Sequence, residues 1–251
     1  MVTAASINPT NIITLNACGL QCPGPIMQVS TKIHELKPGD ILEVSATDPG
    51  FAQDVQAWCK KTGNTFLKAY KKDNAFMITL RKEHTDVPHP IKTESLEDST
   101  MVVFSGDLDK ALAAMIIANG SVAMGKKVTM FFTFWGLNIL RKPDKVSVSK
   151  SLIEKMFGMM MPRGSSKLKL SKMHMSGMGT SMIKKVMKDK NVNSLEELIQ
   201  SAKDNGVKLV ECTMSMDLMG IKKEELIDNI DFGGVAAYLG EAEDAYHNLF
   251  I

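Results

Sequence analysis

Four residues near the start of this chain, Cys22-Pro23-Gly24-Pro25, permit very few backbone arrangements. Two prolines so close together exclude a central strand, because neither can donate to a ladder. They also exclude a helix interior, where proline breaks the hydrogen-bond series. Proline is favoured in the first helical turn, where the amide it lacks would go unpaired anyway. The run therefore marks a helix start. The segment that follows has Ile26, Val29, Ile33 and Leu36 at helical spacing, which predicts a helix over Pro23 to Leu36. Cys22 then stands at the positive end of a helix dipole, facing first-turn amides. A free cysteine is most often a small buried hydrophobe, but the two prolines argue against that role here. A thiol in such a setting is prepared to react as a thiolate. Pro23 and Pro25 would fix the loop, and Gly24 would let a reaction partner approach the backbone.

Around this run the chain alternates short elements. Ile12-Ile13-Thr14-Leu15 reads as a strand, Lys37-Pro38-Gly39-Asp40 as a turn, and Ile41 to Ala46 as a second strand. Asp48 caps a helix from about Gly50 to Thr62, stopped by Gly63. Thr65 to Tyr70 and Ala75 to Arg81 complete a β-α-β-α-β-β order. That order predicts a two-layer sandwich with both helices on one sheet face. Residues 83–99 hold two prolines, several charges and few large apolar side chains, the composition of a linker. The domains are therefore read as 1–82 and 100–251. In the second, strands at Met101 to Ser105, Lys127 to Phe132 and Val207 to Cys212 alternate with helices at Leu108 to Met124 and Leu195 to Asn205. Such alternation predicts an α/β layer domain, a largely parallel sheet covered on both faces. Ligands and reactive groups gather beyond the carboxyl ends of such strands, and Cys212 falls at one of them. Its polar neighbours Glu211, Thr213, Ser215 and Asp217 predict partial exposure, and a helix starting near Thr213 would place amides beside the sulfur.

Composition narrows the function. A net charge of +2 argues against a general nucleic-acid binder. Four cysteines at irregular spacing do not form a secreted disulfide framework. The chain does not open with a signal-peptide pattern, and the longest apolar stretch, Val128 to Leu140, is too short to span a bilayer. A reducing cytoplasm is the expected compartment. The charge is unevenly spread: Arg141 to Lys190 carries thirteen Lys or Arg against three acids, while the residues after it carry twelve acids and four Lys. The basic stretch also holds nine of the nineteen methionines. Met175, Met178, Met182 and Val186 lie at helical spacing and read first as core or subunit interface. A lid or docking surface for anionic sulfur donors comes second and membrane contact third.

These residues form a familiar pattern. Leu15 to Pro25, with Leu36 to Asp40, Asp48-Pro49-Gly50 and Trp58 to Gly63, closely resembles the TusA-like sulfur-carrier family over residues 11–82. The resemblance implies that Cys22 carries sulfur as a persulfide and that the domain is the sandwich read above. Cys18, four residues before Cys22, departs from the family pattern, as does Asn16 where aspartate is common. Residues 100–251, with Gly106-Asp107, Phe131 to Gly136 and Cys212 to Asp217, resemble the DsrE/DsrF-like family in a Met-rich subgroup. That resemblance implies a Rossmann- or flavodoxin-like layer domain, assembly into homo-oligomers, and Cys212 as a relay acceptor. It implies no cofactor beyond the transient cysteine persulfide. Implied partners are sulfur donor and acceptor proteins or low-molecular-weight persulfides, including coenzyme A-disulfide reductase or rhodanese proteins.

Other chemistries find less support. Gly177 and Gly179 are not a dinucleotide fingerprint, since no strand precedes them and no third glycine follows. Cys18 and Cys22 have a zinc-compatible spacing, but a closed site needs two more ligands, and His34, His84 and His89 lie in a helix and the linker. No metal is expected. His174 and His247 are isolated, so no Ser-His-Asp set is formed. Cys59, beside Trp58 in the second helix, reads as structural. Cys18 is open between a disulfide with Cys22, a second sulfur site and no role; a disulfide requires α-carbons within about 7 Å. The reading is a sulfur-relay protein, a sulfurtransferase passing sulfane sulfur between Cys22 and Cys212. The alternatives are a thiol redox protein cycling Cys18 and Cys22, and a non-catalytic docking module for a sulfur-metabolism enzyme.

Overall fold

The structure is a computed structural model, and it describes residues 11–21, 23–48, 50–83, 98–243 and 245–251. The chain divides into two compact units, each built on its own sheet.

The first unit has the order β1 (Ile12–Ala17), α1 (Gly24–His34), β2 (Ile41–Ala46), α2 (Phe51–Thr62), β3 (Thr65–Lys72) and β4 (Ala75–Arg81). This is the β-α-β-α-β-β order read from the sequence. Strand order is β1-β2-β4-β3, with β1 parallel to β2 and the other pairs antiparallel. Alternate residues of β2 (Leu42, Val44, Ala46) and of β4 (Ile78, Leu80) are buried in one cluster with Val29 and Ile33 of α1 and Phe51, Val55 and Trp58 of α2. Side chains of alternate parity point to opposite faces of a sheet, so both helices cover the same face. Gly63 closes α2 in the left-handed conformation, at φ 74°, which glycine adopts without a Cβ penalty.

The second unit contains β5 (Asp98–Val103), α3 (Leu108–Ala123), β6 (Val128–Phe132), α4 (Leu152–Met160), α5 (Met178–Asp189), α6 (Leu195–Asp204), β7 (Lys208–Cys212), α7 (Thr213–Met219), β8 (Asp231–Gly233), α8 (Val235–Glu243) and β9 (Ala245–Phe250). A seven-residue 3-10 helix, Phe134–Leu140, follows β6. Strand order is β8-β7-β6-β5-β9 and every pair is parallel. The sheet is parallel with helices on both faces, as the alternation predicts. β5 begins at Asp98, inside the stretch read as linker. The two edge strands and α8 were not read from the sequence: β8 is three residues long, and β9 leaves Tyr246 and Phe250 exposed.

The faces are unequal. Met101, Val103, Met130, Phe132 and Leu209 share one large buried cluster with residues of α3, α6 and α7. Residues of the opposite parity, Phe131, Val210 and Cys212, form a separate small cluster against Tyr238 of α8. The α6 start is fixed by a reciprocal cap, in which Ser194 Oγ accepts from the Glu197 amide and Glu197 Oε2 accepts from the Ser194 amide.

In the Met-rich basic stretch the core half of the first sequence reading is corrected; exposure in a single chain leaves the subunit-interface half standing as an expectation. Helices α4 and α5 contain no buried residue, and Met175, Met178, Met182 and Val186 are all exposed. Their periodicity reflects an amphipathic helix that leaves these side chains exposed while Met187 of α5 packs against the main core. The preceding segment is anchored instead by buried charge. Glu225 accepts from Arg141 and Arg163, both at 3.2 Å, and is also paired with Lys150. Burial alone would raise the Glu225 pKa. The Lys150 hydrogen bond, the Lys222 amide and the positive charges of Lys150 and Arg141 outweigh that and hold it below the usual value.

Candidate functional site

In the first unit the chain leaves β1 and reaches α1 through a short loop. Asn16 Oδ1 accepts from the Cys18 amide at 3.0 Å and from Ser45 Oγ at 3.2 Å. The asparagine thus ties the loop back to β2. Gly19 has φ 84°, and its amide donates to Thr47 Oγ1 at 2.8 Å. Cys18 is exposed. Cys22 lies outside the described residues, and so do its pairing with Cys18 and the facing of amides toward its sulfur.

The helix start differs slightly from the expected one. Pro23 is the N-cap residue rather than the first helical residue, with Gly24 and Pro25 opening α1. Its φ of −92° and ψ of 4° lie outside the helical region, so the chain turns at Pro23 before the helix begins. Pro25 is buried with Ile26, Val29 and Ile33. Gly24 donates to the Gln21 carbonyl at 2.8 Å, and a Cβ there would meet the Leu20 Cβ at 3.3 Å. The glycine therefore packs tightly on its own loop. Cys59 is buried among the α2 core residues, and burial pushes its thiol up to about 12. Its structural reading holds: a thiol so disfavoured as thiolate is inert.

In the second unit Cys212 is the last residue of β7 and the N-cap of α7. Its position at a strand's carboxyl end, with a helix starting at Thr213, matches the expectation. Its burial does not: Cys212 is only 4% exposed. The polar neighbours misled, because Glu211 is itself at 0% exposure and Ser215 is buried too. Ser215 Oγ and Thr133 Oγ1 form a hydroxyl pair at 2.7 Å, linking the ends of β7 and β6. Glu211 has the parity of Leu209 and faces the large cluster, away from the cysteine. Neither of its carboxylate oxygens has a hydrogen-bond partner. Burial first, then the negative charge that Cys212 can carry, raises its pKa well above the usual value. Sequence reasoning missed this acid, since nothing in a single strand marks a glutamate as inward-facing.

What covers Cys212 is thin. It clusters with Phe131 and Val210, and Tyr238 of α8 packs against that cluster with its ring 5.3 Å from that of Phe131. No residue of α8 is buried. A cavity of about 200 Å³ lies between this sheet face and α8, lined by Phe131, Val210 and Tyr238 among others and bordered by the Lys208–Glu241 ion pair at 2.6 Å. Cys212 therefore belongs to a small cluster separate from the main core, and the helix packed on that cluster has few buried contacts.

Among the described residues no group of three His, Cys, Asp or Glu is placed to hold a metal, and no helix is long and apolar enough to cross a membrane.

Comparison with known proteins agrees with this division. The sequence model of the DsrE/DsrF/DrsH-like family matches residues 96–250, and that of sulfurtransferase TusA matches residues 13–82. The second unit is similar to the uncharacterized protein YrkE of Bacillus subtilis (strain 168), 57% identical over 63% of this chain and 99% of that protein. It is also similar to sulfur carrier protein DsrE2 of Allochromatium vinosum, 36% identical over 60% of this chain and 96% of that protein. The first unit is similar to sulfur carrier protein TusA of the same organism, 35% identical over 27% of this chain and 90% of that protein.

Proposed function

Because the chain belongs to the DsrE/DsrF/DrsH-like family and carries a TusA sulfur-carrier domain ahead of it, we propose that it relays sulfane sulfur as a persulfide between Cys22 and Cys212. The observation that carries this reading is the union of a TusA and a DsrE-like domain in one chain, with Cys22 directly before Pro23 in sequence and Cys212 as the N-cap of α7. The Cys22 thiolate attacks the outer sulfur of a donor persulfide. A new S–S bond forms, the donor's own S–S bond breaks, and the donor leaves as a thiolate. The outer sulfur keeps its proton and its oxidation state, so no oxidant or reductant is needed. The Cys212 thiolate then attacks the outer sulfur on Cys22 by the same exchange, which runs in either direction according to the stabilities of the two persulfides. Joining the two domains raises the effective concentration of one thiol near the other.

Burial of Cys212 suits this chemistry once α8 moves. A persulfide held under Tyr238 is shielded from water and stray thiols, and it is released when the helix lifts. The donors and acceptors would be persulfide-bearing proteins or small persulfides, met in a reducing compartment such as the cytoplasm. The exposed apolar sides of α4 and α5 offer these partners, or further copies of this chain, a surface to dock on.

Intact-mass spectrometry after incubation with polysulfide, followed by thiol mapping, tests the relay. Wild type should gain one sulfur on Cys22 and one on Cys212. Cys22→Ser should lose both, Cys212→Ser only the second, and Cys59→Ser neither. Independent labelling of Cys22 and Cys212 would replace the relay by two separate acceptors. Loss of two hydrogens between Cys18 and Cys22, without sulfur gain, would replace it by the thiol redox reading, which the exposure of Cys18 favours.

A further inference from the structure

A second, larger cavity opens on the second unit, at the carboxyl ends of β5 and β6. Its volume is about 550 Å³, within the range of small-molecule sites. Open α/β sheets bind ligands at this edge, and the proposed relay uses none of its residues.

The walls come from three segments brought together by close backbone contact. After β5 the chain runs Phe104-Ser105-Gly106-Asp107 into α3, and after β6 it runs through Trp135 into the 3-10 helix. A Cβ on Gly106 would sit 2.7 Å from the Trp135 carbonyl oxygen, and one on Gly136 would sit 2.0 Å from that of Val103. Only glycine permits these approaches. Asn138 lines the cavity while buried, its amide donating to the Trp135 carbonyl at 3.1 Å and its carbonyl accepting from Arg141 Nη1 at 3.3 Å. Arg141 is in turn held by Glu225. Trp135 is thus presented from a fixed backbone, and it is 51% exposed.

The lining is both aromatic and basic. Lys110 is paired with Asp107 at 2.8 Å, which neutralises the one acid in the wall. Lys167 and Lys169 also line the cavity, Lys169 beside Asp107 through a backbone bridge, and among the described residues neither lysine has a carboxylate ion pair. Two lysines without carboxylate ion pairs and an indole ring in the lining of one cavity favour a ligand with two or more negative charges joined to a planar group. The lysines supply the charge and Trp135 a stacking surface. The geometry points to this cavity as a binding site for a small organic polyanion of the nucleoside-diphosphate class. The site uses separate lysines and not a glycine-rich phosphate loop, so a nucleotide motif scan passes over it.

Trp135 reports directly on occupancy, since the other tryptophan, Trp58, is buried in the first unit. The full chain would be titrated with ADP, inorganic pyrophosphate and adenosine while tryptophan emission and, in parallel, calorimetry are followed. ADP should bind saturably, more than about tenfold tighter than pyrophosphate or adenosine, a gap of about 1.4 kcal/mol, and more weakly as salt rises. Trp135→Phe should lose the optical signal. Lys167→Glu with Lys169→Glu should weaken ADP by at least about tenfold while thermal melting is unchanged. Absence of saturable ADP binding, ADP affinity intact in the double lysine variant, or pyrophosphate binding as tightly as ADP would each overturn the assignment. Sulfur loading of Cys22 and Cys212 is read separately by mass, so failure here leaves the relay standing and failure of the relay leaves this site standing.

Discussion

Cys59 and Cys212 are both buried cysteines, yet their surroundings give them opposite prospects. Cys59 lies in the body of α2 among Phe51, Val55 and Trp58, part of the single core on which the first unit depends. Reaching it requires unfolding that unit. Cys212 ends an interior strand and belongs to a small cluster separate from the main core, against which packs a helix that buries no residue of its own. Burial alone therefore does not decide whether a thiol can be reached. What separates them is whether the cover is also the core.

The contrast can be broken by removing each cover. Phe51→Ala, which empties a buried site in the first core, should cost about 3–5 kcal/mol in urea unfolding. Tyr238→Ala should cost about 1 kcal/mol or less, because its ring is only partly buried. Equal costs would mean that α8 is as firmly held as the core. Serine replacements sharpen the point. Cys59→Ser buries an unpaired hydroxyl and should cost about 1–3 kcal/mol. Cys212→Ser places serine at a helix N-cap, where the hydroxyl can accept from a first-turn amide, and should change stability by less than about 1 kcal/mol. Alkylation under native conditions reads access itself. Tyr238→Ala should speed labelling of Cys212 by about tenfold, equivalent to about 1.4 kcal/mol of opening, and leave Cys59 unlabelled.

An effect of similar size concerns the acid next to Cys212. Glu211 has a raised pKa in the folded state, so the fold binds its proton more tightly than the unfolded chain does. Its contribution is fully present below the ordinary value of 4.5 and is lost as pH rises through the folded pKa. Glu211→Gln should flatten this decline and gain about 1 kcal/mol at neutral pH. A melting series with pH that is the same in both proteins would show that Glu211 has found a partner.

Much of the architecture follows from local signals. The proline pair sets the start of α1 to within a residue, Gly63 ends α2, and the strand–helix alternation after Met101 announces a parallel sheet. These features are legible because they depend on backbone chemistry and periodicity alone. The same logic placed Cys212 at a strand end. It failed on exposure, since polarity along a sequence does not reveal which side of a sheet a residue faces or what packs there. Glu211 and the Arg141–Glu225 pair were invisible for the same reason, being far apart in sequence or lacking any local mark. The Met pattern of α5 showed an amphipathic helix correctly, but periodicity does not tell a covered stripe from an uncovered one.

The sequence by itself determined the two-part organisation, the order of the elements around each thiol and the kinship with sulfur carriers, all of which are written in short runs of residues. Only the tertiary structure decided that Cys212 is buried in a small cluster against which α8 packs, that Glu211 is sealed in without a hydrogen-bond partner, and that Trp135, Lys167 and Lys169 share one cavity. Those properties arise from segments distant in the chain meeting at the carboxyl edge of a parallel sheet, and no local pattern encodes such meetings.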